Sequence, residues 1–113
     1  DLLKLMMMDA APNKDSELSP GPGEIDLHIE ALVSDHHSMN NSEMLHVQLA
    51  KFQQELDRAI GSGRHKFYAI HGIGTGKLKK EIHRILRHYK EVESFNNNYH
   101  PKYGYGATEI LLR

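Results

Sequence analysis

The sequence predicts an α/β protein, a two-layer α+β sandwich built from one four-stranded mixed sheet and two helices. Two observations support this prediction. Two segments repeat apolar residues at the spacing of an amphipathic helix, and four shorter segments have the alternating or uniformly apolar pattern of strands. Their order along the chain gives the topology β-α-β-α-β-β, in which the crossovers are expected to be right-handed.

The first predicted strand spans residues 24–28, where polar and apolar side chains alternate as in a half-buried strand. A polar loop is predicted at residues 34–42, and the first helix at residues 43–60. The apolar face of this helix consists of Leu45, Leu49, Phe52, Leu56, Ala59 and Ile60. Its ends have candidate N-terminal caps and left-handed C-terminal residues, namely Asn40, Asn41, Ser42, Gly61 and Gly63.

A second strand and helix follow. Residues 67–70 are typical of a buried strand, and a helical pattern begins after the glycines of residues 72–76. The apolar stripe of this helix is Leu78, Ile82, Ile85, Leu86 and Tyr89. The rest of its surface carries Lys79, Lys80, His83, Arg84, Arg87 and His88. Two short strands near residues 92–95 and 107–112 complete the predicted sheet.

The chain has the length of one domain, which we place at residues 24–113. Residues 1–23 hold three of the four prolines and no periodicity, which predicts a linker or the remnant of an upstream region of the same protein. The absence of cysteine excludes disulfides, thiolate zinc sites and thiol nucleophiles, and it favours a cytoplasmic location. The apolar residues 2–8 are too few to span a bilayer, so no membrane partner is predicted.

Charge is distributed unevenly along the chain, although the formal net charge is only -1. Residues 1–63 hold eleven acidic and four basic side chains, whereas residues 64–90 hold eight basic side chains and one acidic one. The basic segment coincides with the second strand and helix. Such asymmetry favours a charged partner, and a solvated basic helix face is the alternative.

A glycine loop links the second strand to the second helix. Its sequence, His-Gly-Ile-Gly-Thr-Gly-Lys at residues 71–77, lets the backbone turn sharply and approach a ligand closely. The amides of the following helix N-terminus favour an anion, and a phosphate group is the obvious candidate. Nucleotide-binding motifs do not fit, because a Walker A loop needs glycine at position 71 and a dinucleotide motif needs it at position 77. A tight turn with an incidental histidine is the alternative.

Two histidines follow predicted strands. His28 ends the first strand, and His71 directly follows the second. Functional groups of α/β proteins gather beyond the carboxyl ends of parallel strands, so both histidines are expected at one rim of the sheet.

Three segments together resemble the small MutS-related (Smr) domain family. Residues 26–28, Asp-Leu-His, resemble the family's Asp-Leu-His-Gly, and residues 71–78 resemble its His-Gly-x-Gly-x-Gly-x-Leu. Residues 104–108, Gly-Tyr-Gly-Ala-Thr, resemble its terminal Gly-x-Gly-x-Thr. The resemblance covers residues 24–112. The chain departs from the pattern at Ile29, where the family has glycine, and at residues 34–42, which look like an insertion.

The resemblance implies a fold like that of the C-terminal domain of translation initiation factor three. It also implies DNA or RNA binding and nicking or endonuclease activity, as in bacterial mismatch and recombination proteins and eukaryotic RNA-surveillance factors. The residues that it carries over by position are Asp26, His28, His71, Gly72, Gly74, Gly76 and Gly106. The predicted phosphate-binding set also includes residues of the loop and its basic surroundings, namely Thr75, Lys77, Lys79, Lys80 and Arg84.

The predicted chemistry is phosphodiester cleavage by acid–base catalysis. His71 or His28 would be the general base or acid, and Asp26 would orient a histidine. Loop amides with Lys77 or Lys79 would hold the negative oxygens. An RNA 2′-hydroxyl could supply the nucleophile. No histidine spacing matches a structural zinc site, and a divalent ion bound together with the substrate remains an open alternative.

The expected partner is DNA or RNA, and single-stranded or branched forms are favoured if exposed tyrosines stack on unpaired bases. The candidate tyrosines are Tyr99, Tyr103 and Tyr105, for which loop packing is the alternative. Gly104 and Gly106 are expected to serve a turn or bulge before the last strand. Two other functions stay open: nucleic-acid binding without catalysis, and a protein-interaction module within a larger protein.

Overall fold

The computed structural model describes residues 23–113, so the predicted linker lies outside the described residues except for Gly23. Within this range four strands form one sheet: β1 (Glu24–Asp26), β2 (Lys66–Ile70), β3 (Val92–Asn96) and β4 (Ala107–Leu112). The helices of the same range are α1 (Ile29–Leu32), α2 (Asn41–Gly61) and α3 (Lys77–Leu86). The predicted α/β fold with a four-stranded mixed sheet is confirmed, with one short helix added.

The strand order β1-β2-β4-β3 places one end of each of the four strands at the same edge of the sheet. β1 is parallel to β2, so Asp26 lies opposite Ile70 at their carboxyl ends. β4 runs antiparallel to both β2 and β3, so it begins where those two strands end. The residues that directly follow β1, β2 and β3, and those that precede β4, therefore meet at this edge, which we call the rim.

The predicted first helix is α2, and it is two residues longer at its start than the periodicity indicated. Asn40 forms a reciprocal capping box, in which its Oδ1 accepts the Glu43 amide at 2.8 Å and its own amide donates to Glu43 Oε1 at 2.8 Å. The chain leaves the helix through Gly63, whose φ of +77° is the left-handed conformation that glycine adopts readily.

The core lies between the sheet and the two longer helices. Phe52, Leu56 and Ile82 are fully buried there, and Leu27 and Ile110 are buried beneath them in the sheet layer. Each such side chain contributes about 1.5–3 kcal/mol by leaving water, which fixes both helices on the sheet. None of the helices in residues 23–113 combines the length and the apolar character needed to cross a membrane.

The first strand is shorter than predicted, and this is a correction with a local cause. β1 ends at Asp26 rather than at His28, because Asp26 Oδ1 accepts the backbone amide of His28 at 3.0 Å and turns the chain away from the sheet. The chain then enters α1, where the Ala31 amide donates to His28 O at 2.9 Å. This helix is one turn long, too short to produce a periodic sequence signal.

The second predicted helix is α3, which ends at Leu86 and thus before Tyr89. Tyr89 still belongs to the helical layer, because it packs against the core and its hydroxyl donates to Asp57 Oδ1 of α2 at 2.9 Å. The predicted apolar stripe therefore packs as expected, although its last residue lies beyond the helix.

Candidate active site at the sheet rim

His28 and Asp26 form a hydrogen-bonded pair at the rim. His28 Nδ1 lies 2.8 Å from Asp26 Oδ1, and the same oxygen accepts the His28 amide. A carboxylate can only accept, so Nδ1 carries a proton and Nε2 of the neutral ring has an open lone pair. The His28 side chain is 50% exposed. An oriented, solvent-accessible imidazole of this kind is suited to general acid or base catalysis.

The exposed pair is held from below by α2. Gln48 Nε2 donates to the carbonyl oxygen of Leu27 at 2.9 Å, and the Leu27 side chain is fully buried. The backbone between Asp26 and His28 is therefore anchored in the core, while both functional side chains face outward.

Gly72 lies directly against the His28 ring. A Cβ atom built on Gly72 would lie 2.9 Å from His28 Nε2, and the φ of Gly72 is +76°, so another residue would be both crowded and strained. The Gly72 amide donates to Gly106 O at 2.9 Å. A Cβ on Gly106 would in turn lie 3.3 Å from Gly72 Cα. The two glycines therefore allow the loop, the start of β4 and His28 to approach one another.

The rest of the glycine loop is exposed and leads into α3. Gly74 and Gly76 also have positive φ, and Gly76 is the N-cap of α3. Because Gly76 has no side chain to cap the helix, the first-turn amides of Leu78 and Lys79 are available to an anion. Thr75 Oγ1 accepts the Lys77 amide at 3.3 Å, a long contact that closes the turn.

A groove of about 600 Å³ separates the glycine loop from the first turns of α2. Ile29, Met44 and Leu45 give it an apolar wall, and Lys77 and Lys79 line its other side. Of the described residues that line it, none is Asp or Glu. The groove thus combines positive charge with apolar surface beside the loop. Ile29, which stands where the Smr pattern has glycine, forms part of this wall.

His71 has a different environment from His28, although sequence analysis gave both the same possible roles. Its ring is 8% exposed. Nδ1 lies 2.7 Å from Gly72 O, and Nε2 lies 2.9 Å from Thr108 Oγ1 and 3.2 Å from Asn97 Oδ1. Burial lowers the pKa of His71 below its ordinary value, against an opposing effect of the Gly72 carbonyl. Both ring nitrogens are engaged by the protein, so His28 is the histidine with an open nitrogen.

Three residues that surround His71 had no predicted role in the site. His83 was predicted on the surface of α3, but it is partly buried, and its Nε2 lies 2.8 Å from Thr108 Oγ1. Burial, followed by the charges of His71, Lys79 and Arg87, lowers the pKa of His83 to about 4. Thr108 had no predicted role. It belongs to the Gly-x-Gly-x-Thr segment, and the resemblance of that segment to the Smr pattern was the one signal in the sequence that pointed to it. Nothing in the sequence singled out Asn97.

The predicted basic residues divide into two groups. Lys77 and Lys79 line the groove, and Lys80 is exposed on the next position of α3. Arg84 lies one turn further along and forms an ion pair with Glu81 at 2.5 Å, whose pKa it lowers. The lysines are therefore near the loop, whereas the charge of Arg84 is partly balanced on the helix surface.

Two of the three candidate tyrosines are exposed. Tyr99 and Tyr105 are 65% and 59% exposed, and their rings meet edge to face with centroids 5.4 Å apart. Tyr105 directly precedes Gly106, so the pair lies beside the loop contact at the rim. Tyr103 is partly buried and its hydroxyl donates to Glu24 Oε2 at 2.5 Å, which gives it a role in packing.

Metal-ligating side chains do not gather at the rim. In residues 23–113 there is no group of three or more His, Asp or Glu side chains arranged to hold a metal ion. The Asp26–His28 pair offers two protein ligands, and a divalent ion shared with a substrate remains an untested prediction.

The fold and the rim define a small α/β domain in which an Asp–His pair faces a glycine loop. The Smr domain family model matches residues 34–113, and the chain therefore belongs to the Smr domain family. The matched range contains the glycine loop, Asn97 and Thr108. It begins after the Asp26–His28 pair.

The sequence relatives include proteins named endonuclease MutS2. The chain is 40% identical over 65 residues to the one from Brevibacillus brevis and 39% identical over 64 residues to the one from Pelotomaculum thermopropionicum. These alignments cover 58% and 57% of this chain but only 8% of each relative. The similarity thus concerns one small part of those longer proteins.

Two solved structures share the fold. The Smr domain of Thermus thermophilus MutS2 is 30% identical, with a TM-score of 0.56 over 80% of this chain and 96% of that one. YdaL, a stand-alone small MutS-related protein from Escherichia coli, is 20% identical, with a TM-score of 0.55 over 88% of this chain and 70% of that one. The second likeness is evidence for the fold alone.

Proposed function

We propose that this domain binds a polynucleotide backbone at the glycine loop and cleaves a phosphodiester bond with His28 as the general base or acid. The observation that carries the proposal is the position of His28, whose Nδ1 is fixed by Asp26 at 2.8 Å and whose Nε2 faces Gly72. The names of the MutS2 relatives, which call those proteins endonucleases, agree with this reaction class.

The first step of the proposed reaction is proton transfer at His28. Nε2 removes a proton from the attacking oxygen, either of water or of an RNA 2′-hydroxyl, and the resulting imidazolium is stabilised by Asp26. That oxygen then forms a bond to phosphorus while the bond from phosphorus to the leaving oxygen breaks, and the leaving oxygen takes up a proton from water. Attack by water leaves a terminal phosphate, whereas attack by the 2′-hydroxyl leaves a cyclic phosphate.

The glycine loop supplies the complementary charge. A phosphate beside Gly72 lies near the first-turn amides of α3 and near Lys77 and Lys79, which stabilise the negative oxygens as the transition state forms. Backbone-directed binding of this kind predicts affinity that falls steeply with salt and depends little on base sequence.

Single-stranded or branched nucleic acid is the proposed partner. The exposed edge-to-face pair of Tyr99 and Tyr105 lies beside the loop and offers aromatic surface to an unpaired base. Each stacked base contributes about 1–3 kcal/mol, so a duplex with its bases paired is expected to bind more weakly.

A cleavage assay on supercoiled plasmid and on structured RNA tests this function, with and without a chelator to detect a divalent ion. His28→Ala and Asp26→Asn are compared with His88→Ala, which changes an exposed histidine after α3. We expect the first two to lose cleavage and the control to keep it. Cleavage that is equal in His28→Ala and in the control would refute the role of His28.

Binding without catalysis is the second candidate function. Ile29 favours it, because this side chain stands beside His28 where the Smr pattern has glycine, and it occupies one wall of the groove. Retardation of single-stranded or branched nucleic acid at low salt without any product would support this candidate. Cleavage gained on Ile29→Gly would show that the side chain itself blocks the reaction. No retardation of any nucleic acid would favour a protein-interaction module.

A further inference from the structure

A buried polar cluster connects α3 to the glycine loop. His83 Nε2 lies 2.8 Å from Thr108 Oγ1, which lies 2.9 Å from His71 Nε2. His71 Nδ1 lies 2.7 Å from Gly72 O. These contacts form a chain from α3 through β4 and the end of β2 to the glycine whose backbone faces His28. Thr108 is fully buried.

With both imidazoles neutral, counting hydrogens gives the direction of each bond. Gly72 O can only accept, so His71 Nδ1 carries the hydrogen. In the neutral ring His71 Nε2 is then an acceptor, and the one hydrogen of the Thr108 hydroxyl points to it. His83 Nε2 donates to a lone pair of Thr108 Oγ1. Every bond of the chain is satisfied when both imidazoles are neutral.

Asn97 offers the Thr108 hydroxyl a second acceptor. Its Oδ1 lies 3.2 Å from Thr108 Oγ1 and 3.2 Å from His71 Nε2, and its Nδ2 donates to Tyr105 O at 2.9 Å. If His71 gains a proton, Nε2 becomes a donor and the hydroxyl hydrogen must turn to Asn97. The orientation of one hydroxyl is therefore coupled to the protonation state of His71.

We propose that Thr108 and His83 are positioning residues that hold His71 as the neutral Nδ1–H tautomer, and that this tautomer fixes the Gly72 carbonyl and so keeps the Gly72 backbone against the His28 ring. The hydrogen-bond chain itself does not depend on catalysis. Its consequence for cleavage rests on the proposed function of His28, because a shift of Gly72 would move the bound phosphate away from His28 Nε2.

The charged surroundings favour the same state. His71 faces Lys79 and His28, and His83 faces His71, Lys79 and Arg87. All of these groups are positive or become positive on protonation, so a proton on either imidazole is poorly solvated and is also repelled. At His71 these effects lower the pKa against the opposing effects of the Gly72 carbonyl and Asn97. The neutral chain is therefore expected throughout the neutral pH range.

The test is nitrogen NMR of the histidine rings in the whole 113-residue chain, titrated with acid. Thr108→Val removes the hydroxyl at nearly constant shape, Thr108→Ser keeps it, and His83→Phe keeps a ring against Phe95 without a donor. His88→Phe is the matched control, because His88 is exposed just beyond α3.

In the unsubstituted protein we expect His71 to be the Nδ1–H tautomer at pH 7. Thr108→Val should introduce the Nε2–H form, which donates to Asn97, and raise the His71 titration midpoint by about one pH unit, the size of one lost hydrogen bond. His83→Phe should shift it in the same direction by less. Thr108→Ser and His88→Phe should leave it unchanged.

Two results would overturn the proposal: an Nε2–H tautomer of His71 in the unsubstituted protein, or equal His71 spectra in Thr108→Val and Thr108→Ser. If Thr108→Val does not fold, His83→Phe decides, and an unchanged midpoint there would count against the chain. Where the protein cleaves, we expect Thr108→Val to lower kcat with little change in KM. The NMR result stands even if no cleavage is found.

Discussion

The two rim histidines share a sheet edge but not an environment. His28 is half exposed, makes one side-chain hydrogen bond to Asp26, and has an Nε2 without a hydrogen-bond partner in the described residues, facing Gly72. His71 is buried, and both of its nitrogens are bonded within the protein. Position after a strand brings a side chain to the rim, but the remaining hydrogen-bond partners decide whether it can react. This difference is the reason that we propose proton transfer for His28 and support of the loop for His71.

The strongest test of this difference is loss of His28. His28→Ala should reduce cleavage by about 10²–10⁴-fold, the usual contribution of a general acid or base. Because the side chain is exposed and outside the core, the free energy of unfolding should change by no more than about 0.5 kcal/mol. Initial cleavage rates and urea unfolding of the same preparations measure both. If His28→Ala lost so much stability that unfolding explained the lower cleavage rate, the proposed role of His28 would be contradicted.

The complementary change is expected to act on stability. His71→Ala removes a buried ring, leaves the Gly72 carbonyl without its partner and leaves the Thr108 hydroxyl only the longer contact to Asn97, so it should cost about 2–4 kcal/mol. Urea unfolding followed by circular dichroism gives this value. A fully stable His71→Ala protein that has lost cleavage would instead make His71 a direct participant in the reaction.

The sequence predicted the fold well because periodicity reports which faces are buried. Both long helices and all four strands follow from it, and the Asn40 cap was among the expected residues. The one-turn helix α1 and the early end of β1 were not predicted, because they depend on a single side-chain bond from Asp26 to the His28 amide. That bond also orients the Asp26–His28 pair.

The buried half of the site, which consists of His71, His83 and Thr108, was harder to predict. Its residues are far apart in the chain. Thr108 is 37 residues from His71 and 25 from His83, and only the folding of β4 beside β2 brings them together. His83 also follows a buried isoleucine in a basic helix, where most histidines would be solvated. Motif resemblance marked Thr108 as part of a pattern but gave no physical reason for it.

Acid should lower the free energy of unfolding through the buried histidine His83. Because the pKa of His83 falls from 6.5 to about 4 on folding, the unfolded chain takes up a proton at a higher pH than the folded one. The free energy of unfolding therefore has its full value above about pH 7 and decreases as the pH drops towards 4. After allowance for the partial exposure of the ring, we expect a loss of roughly 1–2 kcal/mol from this residue.

Urea unfolding from pH 7 to pH 4 measures the acid effect, and His83→Phe isolates it from the titration of carboxylates. The variant should have a flatter stability profile than the unsubstituted protein, while His88→Phe should keep the original slope. Equal slopes in all three proteins would mean that His83 is solvated and would remove it from the buried half.

The smallest expected effects come from Lys79, a basic residue that bears both on the groove beside the glycine loop and on the buried histidines. It lines the groove beside the loop, and its charge lowers the pKa of both His71 and His83. Lys79→Gln should weaken binding of single-stranded nucleic acid and lower the slope of log affinity against log salt by about one. It should also raise the titration midpoints of both buried histidines slightly, since a repelling charge is gone.

Arg84→Gln and Lys51→Gln are the matched controls for Lys79→Gln. Glu81 already balances much of the charge of Arg84, and Lys51 forms an ion pair with Glu55 on α2 at 3.3 Å. Both should change affinity less than Lys79→Gln and leave the histidine titrations where they are. A larger effect of Arg84 than of Lys79 would move the binding surface from the loop to the outer face of α3, and the exposed His28 would then lie away from the bound backbone.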